Sequence, residues 1–267
     1  LTWRQIMEII RMWDKTPGMC NEEPFLEYCP AENKKTDATV VIFPGGGYGG
    51  RSQHEGIGGY SEMFNKMGMD AFVCEYRVRP HRFPLPLVDA QRAVRYVRAH
   101  AKEYGIDPHK VAAIGSSAGG HLVALLANYT APTGFETDDE IDKESPIPDA
   151  IILCYPVIHK PDEMNIANMG SYNSLLGENY PDYDPYSPDL LVSDATPTAF
   201  IWHTSDDAVV NVINSYLYAT ALRQHGIKHE MHIFPSGSHG LGIAAGKPHV
   251  AQWVTLLENW LKDMAWL

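Results

Sequence analysis

The stretch Val111-Ala-Ala-Ile-Gly-Ser-Ser-Ala-Gly-Gly-His121 limits the architecture of this chain more than any other. Four apolar residues, Val111 to Ile114, suit a parallel strand covered on both faces. They run directly into Gly115-Ser-Ser-Ala-Gly119, a G-x-S-x-G pattern centred on Ser117, with a helix expected after it. Glycines two positions either side of Ser117 let strand and helix backbones approach more closely than a Cβ would allow. Such a turn lifts the serine hydroxyl into the open at the sheet end, at a helix N-terminus that favours developing negative charge. A Gly/Ser-rich loop without chemistry fits the same five residues equally well, so the pattern gains weight only from a base, an acid and an oxyanion hole elsewhere.

Along the rest of the chain, strand and helix signals alternate. Residues 3 to 12 have helical spacing (Trp3, Ile6, Ile9, Ile10) and predict a helix lying against the body, ended by Pro17-Gly18. Phe25 to Cys29 reads as a short edge strand, and Ala38 to Phe43 as a continuous apolar strand stopping at Pro44-Gly-Gly-Gly-Tyr48. A helix follows from Glu55 to Met67, then a strand from Ala71 to Tyr76. Asp89 is placed to cap an amphipathic helix whose apolar face carries Ala90, Ala93, Val94, Val97, Ala101 and Tyr104, with Gly105 as its stop. Further strands are expected at Ala150–Tyr155, Thr198–Thr204 and His229–Phe234, and helices at Val212–His225 and Val250–Leu261. This alternation, without internal repeats, predicts an α/β fold with a mostly parallel sheet and helices on both faces.

The acidic, turn-rich segment from Thr130 to Pro148 reads as a surface loop or partial cap. Between His159 and Leu190, Asn, Tyr, Pro and Gly dominate with little periodicity, and such an insertion beside an active site is often a substrate-binding element. At 267 residues the chain fits one domain spanning 1–267 that carries this insertion. The net charge of −12 argues against a nucleic-acid partner and against docking on an anionic membrane surface. No apolar run is long enough to span a bilayer, and no basic start followed by an apolar stretch reads as a signal peptide. The cytoplasm is therefore expected ahead of secretion, although a chain beginning at Leu1 leaves room for a trimmed leader. The cysteines at 20, 29, 74 and 154 lack metal-type spacing and are expected to be reduced, most of them buried.

The glycine run Gly45-Gly-Gly47 leaves backbone N–H groups unshielded and able to point at a substrate oxygen. Alone it would read as a flexible turn; following one strand and sharing a chain with G-x-S-x-G, it reads as an oxyanion loop. A serine hydroxyl needs an imidazole to take its proton, and that imidazole needs an acceptor to fix its tautomer. His239 lies in a glycine-rich loop just after the last strand, at the sheet edge where Ser117 also emerges. His121 belongs to the helix after Ser117 and is expected to pack or support, His203 falls within a strand, and His225, His229 and His232 read as surface histidines. Asp206 and Asp207 both follow the Thr198 strand; Asp207 is preferred, at the loop apex with Val209 and Val210 beneath it. Ser116 precedes the apex and is expected to pack against the sheet end.

The chain resembles the carbohydrate-esterase branch of the α/β-hydrolases related to acetyl-xylan esterases, the BD-FAE type, from about Thr39 to its end. The resemblance rests on Pro44-Gly-Gly-Gly-Tyr48, His54-Glu-Gly56, Tyr76-Arg-Val78, Asp89-Ala-Gln-Arg92, Gly115-Ser-Ser-Ala-Gly-Gly-His121, Asn173-Ser-Leu-Leu-Gly177, Trp202-His-Thr-Ser-Asp-Asp207 and His239-Gly-Leu-Gly242. It implies Ser117 as nucleophile, Asp207 as acid and His239 as base, in the α/β-hydrolase order. It also implies oxyanion donors at the N–H groups of Gly46 or Gly47 and of Ala118. Two departures are Pro44, where many lipases and esterases have His, and Asn211, where a proline is common; the stretch before Phe25 matches poorly.

The activity implied is removal of acetyl groups from carbohydrate, such as acetylated xylan fragments, with no metal or organic cofactor. The expected partner is a small-molecule or oligosaccharide ester. Tyr48, Tyr172 and the insertion are candidates to stack on and hydrogen-bond a sugar. A general short-acyl carboxylesterase, a serine peptidase of the same fold and a catalytically dead binding module are the alternatives.

Overall fold

The computed structural model describes residues 8–18 and 22–267. Among these, eight strands form one sheet: β1 (Glu8–Arg11), β2 (Phe25–Cys29), β3 (Thr39–Phe43), β4 (Asp70–Glu75), β5 (Val111–Ser116), β6 (Ala150–Cys154), β7 (Thr198–Thr204) and β8 (His229–Phe234). Their spatial order is β1-β2-β4-β3-β5-β6-β7-β8. The pairings of β2 with β1 and with β4 are antiparallel, and every other pairing is parallel. The helices are α1 (Tyr60–Met67), α2 (Leu85–Ala99), α3 (Ala101–Tyr104), α4 (Ala118–Asn128), α5 (Met169–Leu176), α6 (Pro188–Leu191), α7 (Ile213–Gln224) and α8 (Gln252–Asp263).

Every residue of β3, β5 and β6 is buried, which explains their unbroken apolar sequences. The period of two is still visible in where the side chains go. Val41 and Phe43 join the cluster built from α2, α4 and α7, with Val94, Leu122 and Leu222. Val40 and Ile42 face the opposite way, toward Phe64 of α1 and Trp253 and Leu257 of α8. Two cores therefore sandwich the sheet, and the C-terminal ends of the parallel strands open on one edge.

Four expectations change. The helix expected over 3 to 12 lies outside the described residues at 3–7, and Glu8–Arg11 is a strand antiparallel to β2. Ile10 and Met12 are buried while Ile9 is 67% exposed, so alternation governs this segment. The Phe25–Cys29 strand is consequently not at the edge; β1 takes that place. Residues 53–55 make one 3₁₀ turn and α1 starts only at Tyr60, because the glycines at 56, 58 and 59 break the helix expected from Glu55. Asp89 is no cap: α2 begins at Leu85, and Asp89 sits inside it, fully buried. There its carboxylate accepts from the Arg77 backbone N–H at 2.8 Å and from both Nε and Nη2 of the Arg77 guanidinium. This bidentate pair joins the end of β4 to α2.

Cys29, Cys74 and Cys154 are buried free thiols, and Cys20 lies outside the described residues. No helix among the described residues is long and apolar enough to cross a membrane.

Candidate active site

Ser117 occupies the turn between β5 and α4 with φ 53° and ψ −119°, a conformation disfavoured for a side-chain-bearing residue. The flanking glycines make it possible. A Cβ on Gly115 would lie 2.2 Å from the Gly119 carbonyl oxygen, and one on Gly119 would lie 2.1 Å from that of Phe43. The backbone of Ser117 is held on both sides: its N–H donates to the Cys154 carbonyl at 3.0 Å, and its carbonyl accepts from the Val157 N–H at 3.0 Å. Ser116 is fully buried and its hydroxyl meets Tyr60 Oη at 2.6 Å, so the two adjacent serines face different environments.

The structure brings Ser117, His239 and Asp207 together. His239 Nε2 lies 2.9 Å from Ser117 Oγ, and His239 Nδ1 lies 2.7 Å from Asp207 Oδ2. Asp207 follows β7 and His239 follows β8, so both descend from strand ends on the edge where Ser117 emerges. Asp207 Oδ1 accepts from the backbone N–H groups of Val209 and Val210, at 2.8 and 2.9 Å. Burial pushes the Asp207 carboxyl up, but hydrogen bonds from His203, His239, Val210 and Val209 outweigh it and hold the group well below the usual carboxylate range. Asp206 is exposed and serves the loop instead, accepting from the Gly237 N–H at 2.7 Å.

His203 has a part that its position in a strand did not reveal. It is fully buried, and its Nε2–H is shared between the Val210 carbonyl at 3.0 Å and Asp207 Oδ2 at 3.2 Å. Two imidazoles thus converge on one carboxylate oxygen. The only sequence signal is the spacing His203-Thr-Ser-Asp-Asp207 at the end of a strand. The other surface assignments are modified slightly: His225 pairs with Asp194, whereas His229 and His232 are half-buried at β8.

The glycine loop after β3 has the form expected of it. Gly46 has φ +130° and a Cβ there would meet the Gly50 carbonyl oxygen at 2.2 Å. The Gly50 and Gly49 N–H groups both donate to the Gly46 carbonyl, and the Gly45 N–H is taken by Glu55 Oε2 at 2.7 Å. The N–H groups of Gly46 and Gly47 have no acceptor among the described residues. Ala118 is the first residue of α4, where N–H groups lack intrahelical partners.

These groups line a cleft of about 430 Å³, within the range of small-molecule sites (~300–1,000 Å³). Gly46, Gly47, Ser117 and His239 line it together with Asn168, Ser171, Ser174 and Val209. The insertion between 159 and 190 therefore contributes a wall through α5, which Asn168 caps by accepting from the Ser171 N–H. Arg79 also lines the cleft and is exposed.

The two tyrosines expected to touch a sugar do not reach the cleft. Tyr48 is 1% exposed and its hydroxyl meets His121 Nδ1 at 2.8 Å. Tyr172 is equally buried, donating toward the carbonyls of Ile158 and Tyr186. Both rings pack against the His121 imidazole, so aromatic burial won over the exposure their loop context suggested. Because His121 Nε2 faces the Tyr186 carbonyl at 2.8 Å, that nitrogen carries the proton and Nδ1 accepts from Tyr48. Burial lowers His121 to about 4, so it stays neutral and ties the glycine loop to the insertion.

A mostly parallel sheet, a serine on a strand-to-helix elbow, and an aspartate and a histidine following it in that order define an α/β-hydrolase. Residues 27–222 match the BD-FAE family model, and the chain belongs to that family. It is 40% identical over 223 residues to endo-1,4-beta-xylanase B of Butyrivibrio fibrisolvens, covering 81% of this chain and 34% of that protein. It is 34% identical over 242 residues to an acetylxylan esterase of Xylanibacter ruminicola, covering 88% of this chain and 48% of the relative. The chain thus spans a third to a half of the length of these two proteins. Among solved structures, the acetyl ester-xyloside bifunctional hydrolase of Caldicellulosiruptor lactoaceticus superposes with a TM-score of 0.90 at 39% identity, over 97% of each chain.

Proposed function

We propose that the protein is a serine esterase that removes acetyl groups from carbohydrate, with acetylated xylan fragments as the substrate class. The observation that carries this reading is the hydrogen-bonded line from Ser117 Oγ through His239 to Asp207, at 2.9 and 2.7 Å. The choice of acetylated xylan draws on the acetylxylan esterase and the acetyl ester-xyloside hydrolase to which the chain is similar.

In this mechanism His239 Nε2 takes the proton of Ser117 Oγ as that oxygen attacks the acetyl carbonyl. Asp207 holds the imidazole with Nδ1 protonated and stabilises the imidazolium that forms. The carbonyl oxygen becomes an oxyanion held by the N–H groups of Gly46 or Gly47 and Ala118, each such donor being worth on the order of 3 kcal/mol of barrier. His239 then protonates the departing sugar oxygen, leaving acetyl on Ser117. A water enters, His239 removes its proton, and acetate leaves as Ser117 recovers its hydrogen. The polar wall of Asn168, Ser171 and Ser174 offers hydrogen bonds to sugar hydroxyls.

A fluorophosphonate probe is expected to label the wild type at Ser117 and to leave Ser117→Ala unlabelled. Acetate release from acetylated xylo-oligosaccharides, compared with hydrolysis of acetyl, butyryl and octanoyl aryl esters, tests the substrate class. Equal rates on the longer acyl chains would replace the deacetylase reading with a general carboxylesterase.

A further inference from the structure

Glu55 is a buried carboxylate, 1% exposed, in a one-turn 3₁₀ segment beside the cleft. Burying a charge is costly unless its oxygens are fully hydrogen-bonded, so its partners indicate what it is for. Oε2 accepts from the Gly45 N–H at 2.7 Å, the residue immediately before Gly46 and Gly47. Oε1 accepts from the Tyr155 hydroxyl at 2.6 Å. That hydroxyl oxygen accepts in turn from the Gly242 N–H at 2.9 Å, three residues beyond His239. The Tyr155 ring stands edge-on to the His239 imidazole, with centroids 5.1 Å apart. Tyr155 directly follows Cys154, whose carbonyl holds the Ser117 N–H. Next to Glu55, His54 Nε2 lies 3.1 Å from the Gly240 carbonyl, a second tie to the histidine loop.

One carboxylate therefore stands where the glycine loop, the elbow and the histidine loop meet. We infer that Glu55 is a positioning residue for ester hydrolysis, fixing the oxyanion donors relative to His239 through Gly45 on one side and Tyr155–Gly242 on the other. The inference rests on the serine-esterase reading above. Burial and the neighbouring Glu55 push the Tyr155 hydroxyl well above its usual range, so it remains a donor to the carboxylate. Packing alone would not require this arrangement, since a buried apolar residue would fill the volume without needing two donors.

Glu55→Ala leaves the Gly45 N–H and the Tyr155 hydroxyl without their acceptor, and the glycine loop loses its anchor. On an aryl acetate, kcat is expected to fall roughly tenfold to a hundredfold, with KM changed less than about twofold, because the donors act on the transition state more than on bound substrate. Glu55→Gln keeps an acceptor for Gly45 and should recover most of the loss.

An alkyl trifluoromethyl ketone gives a readout that a purely structural role would not move. Its adduct with Ser117 places an oxyanion on the same donors, so its Ki should rise in proportion to the fall in kcat/KM across wild type, Glu55→Gln and Glu55→Ala. Should Glu55→Ala fail to fold, Tyr155→Phe supplies the test: it removes only the hydroxyl linking Glu55 to Gly242 and should lower kcat and raise Ki together. Variants with lower melting temperature but wild-type kcat and Ki, per site titrated with fluorophosphonate, would overturn the inference. A wild type that neither reacts with the fluorophosphonate nor hydrolyses the ester would instead overturn the esterase reading on which it stands.

Discussion

Asp207→Asn changes one carboxylate oxygen into an amide nitrogen at nearly constant volume, and the surroundings determine which one. Oδ1 faces the N–H groups of both Val209 and Val210, which require an acceptor. The amide nitrogen must then occupy the Oδ2 position, facing His239 Nδ1 at 2.7 Å and His203 Nε2 at 3.2 Å. His203 cannot retreat by changing tautomer, because its Nε2–H also serves the Val210 carbonyl. His239 can, and it would adopt the form with Nε2 protonated, pointing a hydrogen at Ser117 Oγ. A base in that tautomer cannot take the serine proton. The corresponding change in a serine protease lowers kcat by about 10⁴, or about 5 kcal/mol of barrier, and the same size is expected here. The measurement is kcat/KM on 4-nitrophenyl acetate for Asp207→Asn and Asp206→Asn, with circular dichroism to confirm that each folds. Asp206→Asn keeps an amide oxygen that can accept from the Gly237 N–H, removes only an exposed charge, and should stay within about tenfold of wild type. Asp207→Asn activity within tenfold of wild type, or an equal loss in Asp206→Asn, would refute the assignment.

Two further perturbations test other parts of the structure. His159 sits between Asp162 and Asp189, each 2.7 Å from a ring nitrogen; burial lowers its pKa, but the two carboxylates outweigh that and leave it above 6.5. Its contribution to stability is therefore complete below about pH 6.5, the unfolded value, and is lost as pH rises through the raised folded value. The melting-temperature gap between wild type and His159→Asn should be widest in mildly acidic buffer and close toward alkaline pH; a gap that widens with pH would contradict this. Tyr172→Phe removes a hydroxyl bonded to the Ile158 and Tyr186 carbonyls at 3.0 and 3.1 Å, and should cost about 1 kcal/mol of stability while leaving KM for an acetylated xylo-oligosaccharide unchanged. A raised KM with unaltered melting temperature would return Tyr172 to the substrate.

The elbow, the glycine loop and the order Ser117, Asp207, His239 were legible because each is a local pattern bounded by strong punctuation, with glycines setting the backbone and apolar runs setting the strands. Asp207 is preferred over Asp206 in the sequence for its place at the loop apex with Val209 and Val210 beneath it. Val210 is indeed buried, but Val209 is 58% exposed, and what fixes the carboxylate is the pair of backbone N–H groups, which the sequence did not show. What sequence could not carry is which way a side chain turns once elements pack. Tyr48 lies beside three glycines and looks exposed, yet its ring goes under the loop to meet His121, 73 positions away. Glu55 reads as an ordinary helix-start acid, and only contacts with Gly45 and Tyr155, 10 and 100 residues away, give it a task. Asp89 misled for the same reason: its partner Arg77 lies on another element, so the cap pattern was satisfied locally and unused.

The cleft is surrounded by an unusual density of buried polar groups: Glu55, His121, His203 and Asp207 are each less than 10% exposed. Each would destabilise the fold if left alone, and each is instead saturated by partners that fix its orientation and, for His121, its tautomer. The strand ends supply only approximate placement, because β3, β7 and β8 each pass into a loop before reaching the chemistry, and only β5 runs directly into Ser117. Sub-ångström placement of an imidazole against a hydroxyl needs directional bonds, which apolar packing lacks. The polar groups thus occupy the positions where rigid strand gives way to loop. That arrangement places the directional constraints on the segments that most need them.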